Sequence, residues 1–113
     1  MAPSELRRQT ISQLRKTFLA MMSPRWDRAL EGKSEARLTE AARALLAVQR
    51  ARLRLGNARL AGIRDELRAN EDDLVSGMAA LNRSLKKLGD VKVVLAATTA
   101  LLRTVGRIVN LVL

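Results

Sequence analysis

Residues 46–88 read LAVQRARLRLGNARLAGIRDELRANEDDLVSGMAALNRSLKKL, and a leucine returns every seventh position: Leu46, Leu53, Leu60, Leu67, Leu74, Leu81 and Leu88. Seven residues are two helical turns, so on a continuous helix these side chains lie along one line, as in the seam of a coiled coil. A seam needs a second apolar column, and here it is thin. Three residues after the first six leucines stand Gln49, Gly56, Ile63, Asn70, Gly77 and Ser84, of which only Ile63 is bulky and apolar. Four residues after them stand Arg50, Asn57, Arg64, Glu71, Met78 and Leu85, apolar only at the end. A long parallel dimer is therefore poorly supported, and Gly56, Gly62 and Gly77 instead leave room for another helix to approach.

Ser34-Glu35 opens this segment, which reads as one helix over residues 35–88. At 1.5 Å per residue that is a rod on the order of 80 Å, too long for the remaining chain to cover. The alternative is a break near Asn70, where Asn70 is followed by Glu71, Asp72 and Asp73, acids suited to the positive end of a new helix dipole.

Outward from this stretch the chain stays helical. An amphipathic helix is expected over residues 4–22, with Ser4 as its cap and Ile11, Leu14, Phe18, Met21 and Met22 on one face. Ser23-Pro24 starts a short helix over 24–31 that Gly32 closes, with Trp26 packing the elbow. Gly89-Asp90 marks a boundary before a last helix over 90–113, apolar around most of its circumference except for a stripe of Lys92, Thr99, Arg103, Arg107 and Asn110. Its Val93, Val94, Leu95, Leu101, Leu102, Val105, Ile108 and Val109 are candidates for membrane or core contact. Leu46, Leu53, Leu60, Ile63, Leu67, Leu74, Leu81 and Leu88 are the candidates for oligomerisation.

The composition agrees. In 113 residues, 48% are hydrophobic, yet Trp26 and Phe18 are the sole aromatics and Pro3 and Pro24 the sole prolines, a helix-forming composition. The expected fold is one all-α domain, an elongated helical bundle or coiled-coil-like assembly with one long arginine-rich helix and an apolar C-terminal helix.

Histidine and cysteine are both absent, which removes the commonest general base, thiol chemistry and the usual transition-metal ligands. Asp65, Glu66, Glu71, Asp72 and Asp73 lack the loop spacing of a calcium site, and no glycine-rich phosphate loop occurs. The sequence thus reads as non-enzymatic, with no catalytic residue, cofactor, metal or small-molecule substrate.

The formal charge is +10, from 21 Lys+Arg against 11 Asp+Glu, and points to an anionic partner. Between Arg43 and Arg64 there are six arginines and no acid. On a helical wheel Arg43, Arg50, Arg54 and Arg64 gather on one rim of the leucine face, and Arg52 and Arg59 towards the other. Arginine stems lie along apolar surface while their heads reach outwards, so an oily and cationic helix is self-consistent. These six are the candidates for binding an anionic surface. Without Glu partners, an unaided parallel self-pair places arginine against arginine.

The reading that follows is an oligomeric structural or interaction protein. It assembles through apolar helices and presents a basic face to lipid headgroups or an acidic protein. A nucleic-acid-binding regulator is the alternative, although stacking aromatics are nearly absent and the arginines interleave with the leucines instead of preceding them as in a bZIP basic region. An adaptor or chaperone for an acidic protein is the third. No secretory signal opens the chain, and the expected location is cytoplasmic or peripheral to a membrane. A solitary membrane span over 91–113 is disfavoured, because Arg103 and Arg107 would each cost about 2.5–3.5 kcal/mol in hydrocarbon.

Overall fold

The computed structural model describes residues 1–111. Among these, the chain forms six helices and no strand: α1 (Pro3–Met21), α2 (Pro24–Leu30), α3 (Glu35–Asn57), α4 (Leu60–Ala69), α5 (Glu71–Leu85) and α6 (Val91–Val105). Two short polar motifs set the first half as the sequence predicts. The Ser23 hydroxyl accepts from the Trp26 amide at 3.3 Å and starts α2; the Ser34 hydroxyl accepts from the Arg37 amide at 3.2 Å and starts α3. Between them Gly32 takes φ +76°, a left-handed conformation that suits glycine. Ser4 does not cap α1. That helix begins earlier, with Ala2 at the cap position and Pro3 in its first turn, where a missing N–H costs nothing.

The expected rod over 35–88 is corrected to three helices. α3 ends at Asn57, and Ala58 and Arg59 are both extended. Gly56 and Asn57 weaken the last turn, and the carbonyl of Ala58 is taken up by the Arg7 guanidinium of α1 at 2.7 Å. The second break falls at Asn70, which serves both helices: its side-chain amide donates to the Glu66 carbonyl at 2.8 Å while its own carbonyl accepts from Leu74. Its side chain closes α4 and does not cap α5.

Four helices then form a ring in which α1 neighbours α3, α3 neighbours α6, α6 neighbours α5, and α5 neighbours α1. Arg7 reaches Ala58, Ile11 faces Gly56 and Phe18 lies by Arg52, so α1 and α3 run antiparallel. Lys16 donates to Asn82 and the Met1 amino group to Glu71, so α1 and α5 run parallel. Gly77 faces Leu101 and Asp73 meets Arg107, so α5 and α6 run antiparallel. α4 carries the chain across one end of the ring, from α3 to the diagonally opposite α5, and packs on α1. Trp26 plugs the other end among Met21, Ala41, Val91 and Leu95, leaving 2% of its surface exposed.

Leu67, Leu74 and Leu81 are wholly buried and Leu88 nearly so, with Leu6, Leu14, Val48, Leu55, Leu101 and Val105 filling the rest of the interior. Removing a leucine side chain from water contributes about 1.5–3 kcal/mol, so burying Leu67, Leu74, Leu81 and Leu88 contributes about 6–12 kcal/mol and offsets the few helical hydrogen bonds, a net ~1 kcal/mol each, that are lost at the two breaks. The product has a Cα radius of gyration of 14.0 Å and a longest dimension of 45 Å, compact where the sequence suggested an extended assembly.

The last segment is also corrected. α6 stops at Val105 and the chain turns through Gly106 to Ile108, which is buried; residues 112 and 113 of the expected helix lie outside the described residues. In this turn the Arg107 guanidinium donates to Asp73 at 2.9 Å and to Asn70 at 3.4 Å. Val94, Leu95, Leu101, Val105 and Ile108 face the core, Leu102 and Val109 are half-buried, and Val93 is exposed. Lys92, Thr99 and Arg103 face solvent, as expected for a bundle helix. Among the described residues no helix is long and apolar enough to cross a membrane.

Two contrasts check this fold by urea unfolding. Leu74→Ala or Leu81→Ala is expected to cost about 2–5 kcal/mol, and Leu46→Ala or Leu53→Ala less than about 0.5 kcal/mol, although all four belong to one seven-residue series. At the α5–α6 crossing, a Cβ on Gly77 would stand 3.3 Å from Leu101 Cδ1 and 3.7 Å from its Cα. Gly77→Val is therefore expected to cost about 1–3 kcal/mol, and an unchanged midpoint would refute so close a crossing.

Candidate functional site

α3 is apolar on two opposite sides. Ala41, Val48, Ala51 and Leu55 face the core, while Leu38, Leu46 and Leu53, at 43%, 65% and 52% exposure, lie on the outside. At about 100° per residue the outer stripe is centred roughly 150° from the inner one. The outer stripe runs Ala42, Leu46, Gln49, Leu53, with successive spacings of four, three and four residues. Its neighbours across the ring, α1 and α6, pack against the other side and leave it uncovered.

The six candidate arginines do not stay together. Arg43, Arg50 and Arg54 follow one edge of the outer stripe and make no ion pair among the described residues. Arg52 belongs to the scaffold: its guanidinium lies 5.6 Å from the centroid of the Phe18 ring and donates to Gln49 Oε1 at 2.9 Å. Arg59 sits in the break before α4 and Arg64 on α4, both exposed, so neither continues the rim that a single helix would have given them. The leucine series is divided as well. Ile63, Leu67, Leu74, Leu81 and Leu88 are buried in the chain's own core and Leu60 is half-buried against it, which leaves Leu46 and Leu53 available outside.

The acids are occupied elsewhere or stand apart. Asp73 holds Arg107 and Glu71 holds the Met1 amino group at 3.3 Å, so the first turn of α5 anchors the two ends of the described chain instead of neutralising the α3 arginines. Among the described residues no three acidic side chains converge as a metal site would require.

Two surface depressions flank the arginine row. One, about 470 Å³, is lined by Leu46, Gln49, Arg50, Leu53, Arg54 and Asn57. The other, about 890 Å³, lies between α3 and α6 over Ala44, Ala47, Leu95 and Leu102, with Glu35, Glu40, Arg43 and Arg103 among its lining residues. Neither contains a histidine or cysteine. Nor does the interior offer reactive groups. The buried hydroxyls of Thr10, Thr17, Thr98 and Thr104 each donate to the carbonyl four residues back, and Ser84 to that of Leu81. Their hydrogen-bonding need is met within their own helices.

No family model matches the chain, and neither a curated protein nor a solved structure shows significant similarity to it. The helical wheel already sets Leu46 and Leu53 beside a rim of Arg43, Arg50 and Arg54, but nothing in the seven-residue series separates these two leucines from its buried members.

The arginines separate by stability. Arg52→Ala is expected to cost about 0.5–1 kcal/mol through lost packing on Phe18, and Arg43→Ala or Arg50→Ala close to nothing. Thermal unfolding of the three variants checks this division; equal losses for all three would contradict it.

Proposed function

We propose that this is a non-enzymatic interaction protein whose helix α3 presents a basic, leucine-striped face to an anionic surface. One observation carries the reading: Leu46 and Leu53 stand exposed beside Arg43, Arg50 and Arg54, with no acid anywhere from Ala41 to Arg64. A folded chain keeps such a face uncovered at some risk of aggregation, and the arginine row reduces that risk while attracting a counter-charge. The net charge of +10 steers an anionic partner towards the molecule at long range, and the leucines then add short-range affinity.

In this reading the leucines of α4 and α5 hold the monomer together and assembly is left to α3. Two copies docked through α3 would set their arginine rows close to each other, so the partner is of a different kind. Nucleic acid satisfies the charge but leaves the leucines in water.

Poly-glutamate titrated into the full-length protein at low and high salt tests the reading. The combined Arg43→Gln, Arg50→Gln and Arg54→Gln variant is expected to bind about tenfold more weakly, while exchanging the exposed Arg8, Arg15 and Arg83 for Gln has less than half that effect on the binding free energy. Equal weakening by both sets would remove α3 as the site. Stronger salt-sensitive binding of a DNA duplex through the same three arginines, indifferent to Leu46→Ser and Leu53→Ser, would replace this reading by the nucleic-acid one.

A further inference from the structure

We infer that the occupant of the α3 face is a single amphipathic helix of an acidic protein, seated along Ala42, Leu46, Gln49 and Leu53 with its carboxylates against Arg43, Arg50 and Arg54. This rests on the function proposed above and names the class of partner.

The shape of the surface comes first. Knobs-into-holes packing requires each hole to be walled by four residues at positions i, i+3, i+4 and i+7 of the receiving helix. Four of the six residues lining the depression of about 470 Å³, Leu46, Gln49, Arg50 and Leu53, have that spacing, and Arg54 and Asn57 extend it towards the end of α3. It is therefore a ready hole for an aliphatic side chain of a facing helix. The stripe is also asymmetric: Leu46 and Leu53 are bulky, Ala42 is small and Gln49 polar. A complementary helix places its larger side chains opposite Ala42 and Gln49 and its smaller ones opposite the leucines. Gln49 Oε1 is already engaged by Arg52, which leaves the Gln49 amide hydrogens to donate to an acceptor on the partner.

Charge then selects the partner's flanks. Relative to a seam through Leu46 and Leu53, Arg43 and Arg50 hold the flanking positions that set partner choice in paired helices; neither makes an ion pair among the described residues, and the acids of α3, Glu35 and Glu40, are confined to its first two turns. Arg54 extends the same edge. A second copy of this chain brings mainly arginines to that edge, its α3 acids being confined to Glu35 and Glu40 at the start of the helix. A helix with Glu or Asp at the facing positions supplies four things at once: opposite charge, apolar knobs, length and direction.

A lipid surface fits less well. An interfacial helix buries a broad apolar face, commonly with tryptophan or phenylalanine at the boundary. Here Trp26 is sealed in the core, Phe18 lies half-buried beneath Arg52, and the stripe is one side chain wide with Gln49 in its middle.

The test uses the full-length protein and two fluorescently labelled synthetic helices of four heptads, identical in their leucine seam but carrying Glu or Lys at the flanking positions. Anionic and neutral phospholipid vesicles provide the lipid arm. The Glu-flanked helix is expected to bind saturably and the Lys-flanked helix not. Leu46→Ser combined with Leu53→Ser is expected to weaken the Glu-flanked helix on the order of tenfold, as is the arginine triple variant. Leu46 and Leu53 face solvent, so these variants keep the fold, and an unchanged unfolding midpoint verifies it. Binding that ignores the leucine substitutions would overturn the helix while leaving an anion-binding face. Capture by anionic vesicles with no binding of the Glu-flanked helix would likewise overturn the helix and assign the face to lipid. Failure of vesicles, poly-glutamate and helix alike would overturn both this inference and the function it rests on.

Discussion

Leu67, Leu74, Leu81 and Leu88 leave water because the chain turns at Ala58 and Arg59 and again at Asn70. Everything else in the molecule follows from those two turns. The first brings α4 across the end of the bundle and is held by Arg7 on the freed Ala58 carbonyl; the second points α5 back along α1. With α5 in place, Gly77 allows α6 to come close enough for Leu101 to enter the core, and Arg107 reaches Asp73 to fasten the segment after α6. The exposed ion pairs contribute little on their own. Their value is directional, since they act where the apolar surfaces have already brought the elements together.

The same folding divides one repetitive feature into two kinds of surface. Leucines after the first break become interior, and those before it remain on the outside of α3, the helix whose opposite side is already committed to α1 and α6. An arginine row along an exposed leucine stripe is thus a property of the folded chain. It arises because α3 carries apolar residues around more of its circumference than two neighbours can cover. Each buried hydroxyl is satisfied by its own helix.

Much of the local punctuation was legible in the chain. Ser23-Pro24, Gly32 and Ser34 mark real helix ends, since each acts through its own backbone or its nearest neighbours; of the Gly89-Asp90 junction only the start of α6 is kept, because α5 already stops at Leu85 and the Asp90 side chain makes no capping bond. Trp26 fills the elbow as expected. Ser4 misled because Pro3, one residue earlier, is equally suited to a first turn. The break at Ala58 and Arg59 carries only the weak signals of Gly56 and Asn57, and what secures it is a guanidinium from residue 7, far away in sequence. Arg107 looked like one member of a polar stripe for a similar reason: its partner Asp73 is a neighbour only after α5 and α6 pack.

The sequence by itself determined that the protein is helical, basic and without the side chains that most catalytic and metal centres use. These follow from composition and from interactions within four residues along the chain. Only the tertiary structure decided that seven equally spaced leucines would be shared between a core and an outer face, and which arginines would stand free beside the latter. A period of seven specifies a line along a helix. It cannot specify what covers that line, because burial depends on the whole chain competing for a limited amount of apolar contact.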